Sequence, residues 1–295
     1  MKIINFGSLN IDYVYRVDEF LRPGETKPVS SMETFCGGKG LNQSIACAKA
    51  GLETFHAGFI GAEGRFLIKK LMSCGVKTKF IREVPEGCGH TIIQVNDAGQ
   101  NCILLYPGTN AMLTDSFVEE VLAQFTEGDV VMLQNETNMV EEIIYRAARK
   151  GMRVAFNAAP FTAMVKEYPL SEVTWLFVNE IEGAGLSGET DFEAIAHRLR
   201  MAYPQTEIIL TLGAQGSIYA GAEGTCQIPA RKVVPVDTTA AGDTFTGYYL
   251  MGALSGFGAR RALEIATTAS AVAITHRGAA DSIPARETLD LKPVY

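Results

Sequence analysis

DTTAAGDTFTG, residues 237–247, places Asp237 and Asp243 on either side of a run of small residues. The VVPVD that leads into it predicts a strand, and the TFTGYYLMGAL that ends it predicts a helix. Small residues in such a turn let the backbone approach an anion, and the free N–H groups of a first helical turn attract negative charge. The alternative is a plain helix cap by Asp or Thr. The second carboxylate favours an anion cradle beside a general base.

Strand-like and helix-like segments alternate along the rest of the chain. Apolar runs typical of strands are IINFGSL, TFHAGFI, VVMLQ, VAFNA, WLFVN and EIILTLG. Helical periodicity occurs at 39–50, 139–151, 191–203 and 242–254. This order predicts an α/β fold with a mainly parallel sheet sandwiched by helices. Ligands of such folds bind beyond the carboxyl ends of the strands, so the loops that follow the strands form the candidate site.

Two segments break the alternation. HTIIQVNDAGQNCILLY predicts a β-hairpin, and YVYRVDEFLRPGETKPVSS has strand-like pieces around a Pro-Gly turn. Together, at approximately 13–32 and 88–106, they predict a small β-sheet that acts as a lid over the strand ends. The alternative is a surface flap used for dimer contacts, and the two uses are compatible. The whole chain, 1–295, is predicted to be a single α/β domain.

Composition limits the partners. A chain of 295 residues with 47% hydrophobic residues can bury a large core. Its net charge of -7 and pI near 5.3 disfavour nucleic acid and anionic membranes as partners. Asn5, Gly7 and Ser8 interrupt the apolar run of MKIINFGSLNID, which is not the pattern of a targeting peptide, and no apolar run is long enough to span a bilayer, so we expect a cytoplasmic protein. The six cysteines lack a CxxC pair and the four histidines lack HxxxH spacing, so we expect neither a zinc site nor disulfides.

Two loops near the N-terminus carry polar residues suited to a polyol. In CGGKGLNQ, Lys39 and Asn42 stand three apart at a helix start, which puts both on one side. GSLNID is predicted to end the first strand with Asn10 and Asp12 on one face. The alternatives are a flexible turn with a solvated lysine and an Asx turn. The chain has neither a Walker loop nor a GxGxxG after its first strand, which disfavours a nucleotide-dependent dehydrogenase.

Four further polar residues follow predicted strands: Glu136, Asn157, Asn179 and Glu182. Carboxylate and amide oxygens are hard ligands suited to Mg²⁺, often through water. Each residue alone is more typical of a turn or cap, so their weight comes from sharing one end of a sheet. The TLGAQGS stretch either brings its backbone to a nucleotide or forms a tight hairpin.

Taken together, GGKGLNQ, DTTAAGDTFTG, LNID and NEIE resemble the ribokinase-like (PfkB) family of carbohydrate kinases. The resemblance covers nearly the whole chain. It implies a Rossmann-like core and ATP-dependent transfer of the γ-phosphoryl group to a sugar hydroxyl. Phosphoryl transfer depends on positioning and charge stabilisation, which agrees with an anion cradle in this turn.

The resemblance also implies roles for individual residues. Asp243 matches the family's catalytic base. The anion hole is matched by Ala240, Ala241 and Gly242. The sugar-contacting positions are matched by Asn10, Asp12, Gly38, Lys39, Asn42, Glu136 and Asp243. The NxxE motif, whose acid reaches Mg²⁺ through water, is matched by Asn179 and Glu182, and the nucleotide loop by Thr211, Gly213 and Gly216.

A site for a monovalent cation, usually K⁺, is also implied. Its positions are matched by Asp237, Thr239, Ala273, His276, Gly278 and Ser282. A carboxylate among carbonyls and hydroxyls suits such an ion, and the alternative is that Asp237 only caps the turn. We further expect a homodimer formed through the lid.

Three features depart from the family pattern. GAEGRFLIKKL is shorter than the usual glycine-and-aspartate segment after the second strand, with consequences for packing. His90 enters the lid where a small or apolar residue is expected, which bears on the choice of sugar. Thr267 lies near the expected adenine position, where the family often carries Asn or His, which bears on nucleotide preference.

The main hypothesis is a kinase that uses MgATP to phosphorylate the 5-hydroxyl of D-ribose or a close pentose. A second possibility is a family kinase that acts on another sugar or a nucleoside. A hypothesis of a different class is a non-catalytic sugar-binding sensor. The intact AAGD turn argues against a sensor, because loss of turnover should relax that turn first.

Overall fold

Strands in the computed structural model, which describes residues 1–291, form a large sheet and a small one. The nine strands of the large sheet are β1 (Ile3–Phe6), β4 (Thr54–Ile60), β5 (Lys77–Glu83), β8 (Val130–Gln134), β9 (Arg153–Asn157), β10 (Trp175–Asn179), β11 (Glu207–Thr211), β12 (Ser217–Gly221) and β13 (Gly224–Ile228). Their order is β13-β12-β11-β10-β9-β8-β1-β4-β5. All neighbours pair in parallel except β11 with β12 and β12 with β13.

The small sheet, here called the lid sheet, consists of β2 (Asn10–Arg16), β3 (Ser31–Gly37), β6 (Gly89–Val95) and β7 (Asn101–Tyr106). Its order is β3-β2-β6-β7. The predicted hairpin is confirmed as the antiparallel pair β6 and β7, and the predicted Pro-Gly segment connects β2 to β3. The expected second sheet is therefore confirmed. The predicted single domain includes 292–295, which lie outside the described residues.

Helices cover both faces of the large sheet. The α-helices of the described chain are α1 (Lys39–Lys49), α2 (Arg65–Ser73), α3 (Asp115–Leu122), α4 (Val140–Arg149), α5 (Glu180–Ser187), α6 (Phe192–Ala202), α7 (Ala241–Leu254), α8 (Ala259–Ala273) and α9 (Ala279–Ser282). Alternate residues of one central strand belong to different cores: Val131 and Leu133 pack into one, and Val130 and Met132 into the other. The predicted sandwich is confirmed.

Helix α7 packs unusually close to its neighbours because of glycine. A Cβ on Gly247 would lie 2.5 Å from Cβ of Ala46 in α1. A Cβ on Gly252 would lie 2.8 Å from Cα of Ala262 in α8. The absence of side chains at these two points lets the helices approach, and it brings the first turns of α1 and α7 together.

Two predicted details of the strands are wrong. VVPVD forms no strand: Val234 is 83% exposed, and the one backbone hydrogen bond of Val236 within residues 1–291 goes from its N–H to Ile274 O, at 2.7 Å. Pro235 has no N–H that could donate a hydrogen bond to a neighbouring strand. The edge of the large sheet on one side is β13, and VVPVD does not pair with it. GSLNID does not close the first strand either. That strand ends at Phe6, and Asn10 and Asp12 begin β2 in the lid sheet.

No helix within residues 1–291 is both long enough and apolar enough to cross a membrane. The cytoplasmic location stays a prediction. All six cysteines are free thiols in this structure.

Candidate active site

The turn between residues 237 and 243 enters α7 through a residue in the left-handed region. Ala240 has φ 59° and precedes the helix, and its carbonyl accepts the first helical bond from Thr244 N at 2.9 Å. A left-handed alanine costs about 1 kcal/mol, so the surrounding structure must impose it. Ala241 N donates to Thr238 O at 3.2 Å. The N–H groups of Gly242 and Asp243 come next in the first turn, where helix geometry offers no acceptor four residues back.

A cavity of about 250 Å³ opens at this turn. A Cβ built on Gly242 meets nothing within 4 Å, because the space beside it is open. The cavity is lined by Lys39, Asn157, Ala159, Phe177, Val178, Asn179, Glu182, Thr211, Thr238, Ala240, Ala241, Gly242, Asp243 and Thr246. The predicted anion hole, base, lysine and NxxE pair therefore line one space. Of the four polar residues predicted to follow strands at one end of the sheet, Asn157, Asn179 and Glu182 line this cavity and Glu136 does not.

The carboxylate of Asp243 is only 7% exposed and is held by two amides from α1. Asn42 Nδ2 donates to Oδ2 at 3.0 Å, and Gln43 Nε2 donates to Oδ1 at 2.9 Å. Asn42 Oδ1 is buried and has no hydrogen-bond partner within residues 1–291. A buried acceptor without a donor is costly, so this oxygen is suited to a ligand hydroxyl.

Two more of the predicted residues, Asn10 and Asp12, lie at the start of β2 in the lid sheet and line neither the cavity at the α7 turn nor the smaller one that adjoins it. Asn110 Nδ2 donates to Asn10 Oδ1 at 2.6 Å, and Thr91 Oγ1 donates to Asp12 Oδ1 at 2.6 Å. A Cβ on Gly37 would lie 2.0 Å from Asp12 Oδ2, so only glycine fits opposite this carboxylate. Burial is the main cause that raises the pKa of Asp12 to about 6, against the hydrogen bond from Thr91.

Lys39 stands among carboxylates at the start of α1, directly after Gly38, whose φ of 96° makes the sharp entry into the helix. Burial opposes the charge of Lys39, but three acidic groups outweigh it and raise the pKa of the ammonium. These groups belong to Asp243, Glu136 and Glu182. The Lys39 ammonium therefore interacts electrostatically with both the predicted base and the predicted magnesium ligand.

Glu136 follows β8 and accepts bonds from two loops. Lys39 N donates to its Oε2 at 2.9 Å, and Ser8 Oγ donates to the same atom. Burial raises the pKa of Glu136, while the Lys39 ammonium and these hydrogen bonds act in the opposite direction. This carboxylate connects the first turn of α1 to the loop before β2.

Asn179 and Glu182 form a capping box at the start of α5. The Asn179 side chain accepts from Ile181 N at 2.8 Å and Glu182 N at 2.9 Å, and Glu182 Oε2 accepts from Asn179 N at 2.8 Å. The cap interpretation of this motif therefore holds, and both residues also line the cavity. Burial is the largest cause that raises the pKa of Glu182, which lies 6% exposed.

A second cavity of about 150 Å³ adjoins the first, since both are lined by Thr211, Ala241 and Gly242. Gly213, Gly216 and Thr267 also line it. TLGAQGS forms a tight hairpin between β11 and β12, so the predicted hairpin is confirmed. The same hairpin also lines the second cavity through Gly213 and Gly216. Oγ1 of Thr267 is buried without a partner among the described residues, so it can bond a ligand in this space.

His90 lies on the side of the lid sheet away from the candidate site. It is registered with Ile11, whereas the next residue, Thr91, is registered with and bonded to Asp12. Registered neighbours share a face of a sheet and successive residues alternate. The His90 ring instead contacts the rings of Tyr13 and Tyr106 at 5.9 and 5.1 Å between centroids.

The predicted cation residues are only partly brought together. Asp237 Oδ1 accepts from Thr239 N at 2.9 Å and from Thr239 Oγ1 at 2.6 Å, and its Oδ2 accepts from Gly278 N at 2.9 Å. Burial would raise the pKa of Asp237, but these hydrogen bonds outweigh it and lower the pKa. The Ala273 carbonyl accepts from His276 N at 3.0 Å, and Ser282 Oγ donates to Ala279 O at 2.9 Å. Each of these last contacts stays within its own segment.

Metal ligands of the common type do not cluster in the part of the chain that the structure describes. No group of three or more His, Cys, Asp or Glu side chains is placed to hold a metal ion. Glu182 nevertheless has one free lone pair on each oxygen after its two bonds to Asn179. Mg²⁺ that is bound mainly by phosphates and water needs only one or two carboxylates, so this donor set fits it.

Several side chains that contact the candidate residues carry no signal in the sequence. Gln43 is adjacent to Asn42 in GGKGLNQ, and this proximity was the one available hint. Other partners come from distant segments, and they are Ser8, Thr91 and Asn110. Their positions depend on how the two sheets meet.

Comparison with known proteins agrees with this geometry. A family model described as pfkB family carbohydrate kinase matches residues 1–286. A ribokinase from Haemophilus influenzae is 33% identical over 295 residues, covering 96% of each chain. The structure of ribokinase from Cryptococcus neoformans with ADP matches with a TM-score of 0.84 and 30% identity over 97% of both chains. Arabidopsis thaliana ribokinase with ribose and ATP matches with a TM-score of 0.87 and 26% identity, over 97% of this chain and 96% of that one. The chain therefore belongs to the pfkB family of carbohydrate kinases and is a phosphotransferase.

Proposed function

We propose that this chain transfers the γ-phosphoryl group of MgATP to the 5-hydroxyl of D-ribose. The observation that carries the proposal is the position of Asp243. Its carboxylate lines a cavity at the N-terminus of α7, is fixed by two amides, and adjoins a second cavity through shared walls. A general base needs this kind of fixed access to a hydroxyl proton.

The proposed reaction assigns the base and the anion hole to the same turn. Asp243 takes the proton of the attacking hydroxyl as the oxygen–phosphorus bond forms and the bond to ADP breaks. The N–H groups around Ala240–Gly242 hold the phosphoryl oxygens, and Ala241 exchanges its contact with Thr238 O for one of them. The positive end of the α7 dipole stabilises the negative charge at this point.

The second cavity is the proposed nucleotide subsite. Gly213 and Gly216 offer backbone without side chains, and Gly216 has φ 100°. The solved ribokinases with ADP or with ribose and ATP support ATP as the phosphoryl donor. Thr267 would donate or accept one hydrogen bond there, in place of the amide or imidazole that the family often carries.

Two ions are part of the proposal. Glu182 would hold Mg²⁺ through water, with Asn179 fixing its carboxylate, and the ion would screen the charge of the phosphates. Asp237, Thr239 and Gly278 would form one side of the K⁺ site. The carbonyl of Ala273 and the side chains of His276 and Ser282 remain proposed members of it. The carboxylate of Asp237 is ionised under ordinary conditions because its pKa is lowered, which fits a cation ligand.

Sugar specificity is proposed to come from polar residues of both sheets. Asn10 and Asp12 would bind sugar hydroxyls from the lid side. Lys39 and Asn42 would bind them from α1, and Asn42 has an unpaired oxygen for this purpose. Gly38 and Glu136 complete the proposed set. Because His90 lies on the other face of the lid sheet, its presence does not argue against ribose.

ADP release from MgATP tests the proposal directly. The acceptors are ribose, deoxyribose, fructose, tagatose 6-phosphate and nucleosides, each with and without K⁺. We expect a ribose-selective signal that K⁺ stimulates. A preference for another sugar or a nucleoside keeps the kinase and replaces the substrate. Binding of ribose by calorimetry without any ADP release would establish the sensor in place of the kinase.

We also propose a homodimer formed through the lid sheet. All six residues of the edge strand β7 are exposed, and Leu104 is 67% exposed. An uncovered apolar edge strand is prone to pair with another chain. Light scattering should give about 64 kDa, twice the 31.9 kDa of one chain. Leu104→Lys should give a monomer, and a wild-type mass near that of one chain would reject the dimer.

A further inference from the structure

We propose that Gln43 is a positioning residue that fixes the carboxylate of Asp243, and that a buried chain of amides fixes Gln43 in turn. The inference rests on the proposed function, because the position of Asp243 matters for a base. Gln43 is fully buried and lies next to Asn42 on α1. The two amides hold different oxygens of the same carboxylate.

The amide chain runs inward from Gln43 to the central strands. Gln134 Nε2, at the end of β8, donates to Gln43 Oε1 at 2.8 Å and to Asn5 Oδ1 at 3.1 Å. Asn5 Nδ2, on β1, donates to Gly40 O at 2.8 Å and to Ser44 Oγ at 2.8 Å. The side chains of Asn5, Gln43 and Gln134 are at most 1% exposed. Bulk water therefore does not reach these contacts, and Gln134 Oε1 is left without a hydrogen-bond partner among residues 1–291.

Backbone carbonyls fix the direction of every amide in the chain. A carbonyl only accepts, so Gly40 O requires Asn5 to present its NH₂ group there and its oxygen to Gln134. Gln134 must then present its NH₂ group to both neighbours, and the oxygen of Gln43 must face it. The NH₂ group of Gln43 is left facing Asp243. Reversing Gln43 would oppose two donors at its contact with Gln134 and two acceptors at its contact with Asp243.

The far end of the network gives the same direction independently. His56 Nε2 lies 3.1 Å from Gly7 O, so it carries the proton and Nδ1 is an acceptor. Ser44 Oγ then donates to His56 Nδ1 at 2.8 Å and accepts from Asn5. The orientations required by His56 in β4 and by Gly40 O are therefore the same, and both leave the NH₂ group of Gln43 facing Asp243 in α7.

Gln43 and Asn42 differ in what a sugar can do to them. Asn42 has an unpaired oxygen, so a ligand hydroxyl can donate a hydrogen bond to it. Gln43 has its oxygen engaged by Gln134 and its nitrogen by Asp243. We infer that Asn42 contacts the sugar directly, whereas Gln43 holds the Asp243 carboxylate in place whether or not sugar is bound.

Substitution by methionine tests the inference, because methionine keeps the shape of glutamine without its hydrogen bonds. Gln43→Met should lower kcat at least about tenfold and leave the dissociation constant of the sugar within about threefold. Asn42→Ala should weaken sugar binding as well. Gln134→Met should lower kcat less than Gln43→Met, since it frees the Gln43 amide to turn without removing it.

A matched control separates positioning from loss of a buried hydrogen bond. Thr206 is fully buried far from the site, and its Oγ1 donates to Leu170 O at 2.9 Å. Thr206→Val should lower the melting temperature about as much as Gln43→Met while kcat stays unchanged. A Gln43→Met variant with wild-type kcat, or one whose kcat and sugar affinity fall by equal factors, would overturn the proposal.

A crystal structure of the ligand-free Gln43→Met protein provides a readout that needs no turnover. We expect the Asp243 carboxylate to rotate or to occupy two rotamers. A carboxylate that keeps its present place overturns the inference. If the wild type releases no ADP with any acceptor, the proposed function fails, and the position of Asp243 in these crystals still decides the role of Gln43.

Discussion

Two aspartates flank the same short turn and are held in opposite ways. Asp243 is buried, and its two oxygens accept from amides that are 200 and 201 positions away in sequence. Asp237 is half-buried and accepts twice from Thr239, two residues on, and once from Gly278. One carboxylate depends on the packing of α1 against α7, and the other mainly on its own turn.

This difference predicts different consequences for the two sites. A locally held carboxylate keeps its place when distant parts of the fold change. A carboxylate held across the fold keeps its place only while the helices and sheets around it do. We propose that Asp243, which is held across the fold, serves proton transfer, and that Asp237, which is held by its own turn, binds an ion.

The largest effect is expected for Asp243→Asn. The amide cannot take the hydroxyl proton, so kcat should fall by about 10²–10⁴-fold. Sugar affinity should stay within about tenfold, because the main sugar contacts lie on other residues. Steady-state kinetics and calorimetry on the same preparation give both values. Sugar binding lost in parallel with turnover would count against Asp243 as the base.

A smaller effect is expected when a methyl group enters the anion hole. Gly242→Ala fills open space at the cavity wall, so kcat/KM for ATP should fall about tenfold or more. The helix itself should gain up to about 1 kcal/mol, since alanine favours helices more than glycine does.

Gly247→Ala is the matched control, on the same helix. Its methyl would lie 2.5 Å from Ala46 Cβ, so stability should fall by about 1–3 kcal/mol through overpacking. Denaturant unfolding of both variants beside their kinetics separates the two effects. Equal losses of stability would show that Gly242 serves packing and not the anion hole.

A change of a few-fold is expected on the other side of the turn. Asp237→Ala should remove the stimulation by K⁺ and leave the rate without K⁺ within about twofold, because α7 and its base keep their distant supports. Initial rates across a K⁺ titration measure this. If K⁺ still stimulates the Asp237→Ala variant, Asp237 is not a ligand of the activating cation.

The last effect concerns stability at acid pH and not the reaction. Burial lowers the pKa of His56, at the far end of the amide network, to about 4. The unfolded chain protonates this group near pH 6.5, so it binds more protons there than the folded chain does. Stability should therefore fall by up to about 3 kcal/mol between pH 6.5 and 4.

The control for this prediction is His56→Gln, because Asp12 acts in the opposite direction. The pKa of Asp12 is raised to about 6, so the folded chain takes up that proton first and gains stability as pH falls from 6 to about 3.8. Only the difference between wild type and His56→Gln isolates the histidine. That difference should shrink as the pH is lowered through this window, and a constant difference would contradict the assignment.

The sequence by itself determined the order of the elements and the location of the loops that matter. Periodicity of apolar residues is a local property, so it located most strands and four of the helices, and alternation then predicted the sandwich. The quoted motifs resembled one family, and family membership was confirmed. VVPVD shows the limit of such reasoning. Its composition favours a strand, but a strand also needs a neighbouring chain to bond, and none is there for it.

Tertiary structure alone decided which partners hold the candidate residues. Asn5 and His56 lie in two of the predicted strands, and only the structure shows that they belong to the network behind Asp243. His90 read as a residue of the sugar side, and only the register of β2 with β6 places it on the other face. Hydrogen bonds between segments 100 to 200 residues apart depend on how helices and sheets pack. No local pattern encodes that packing, so the support of the base became visible only in the folded chain.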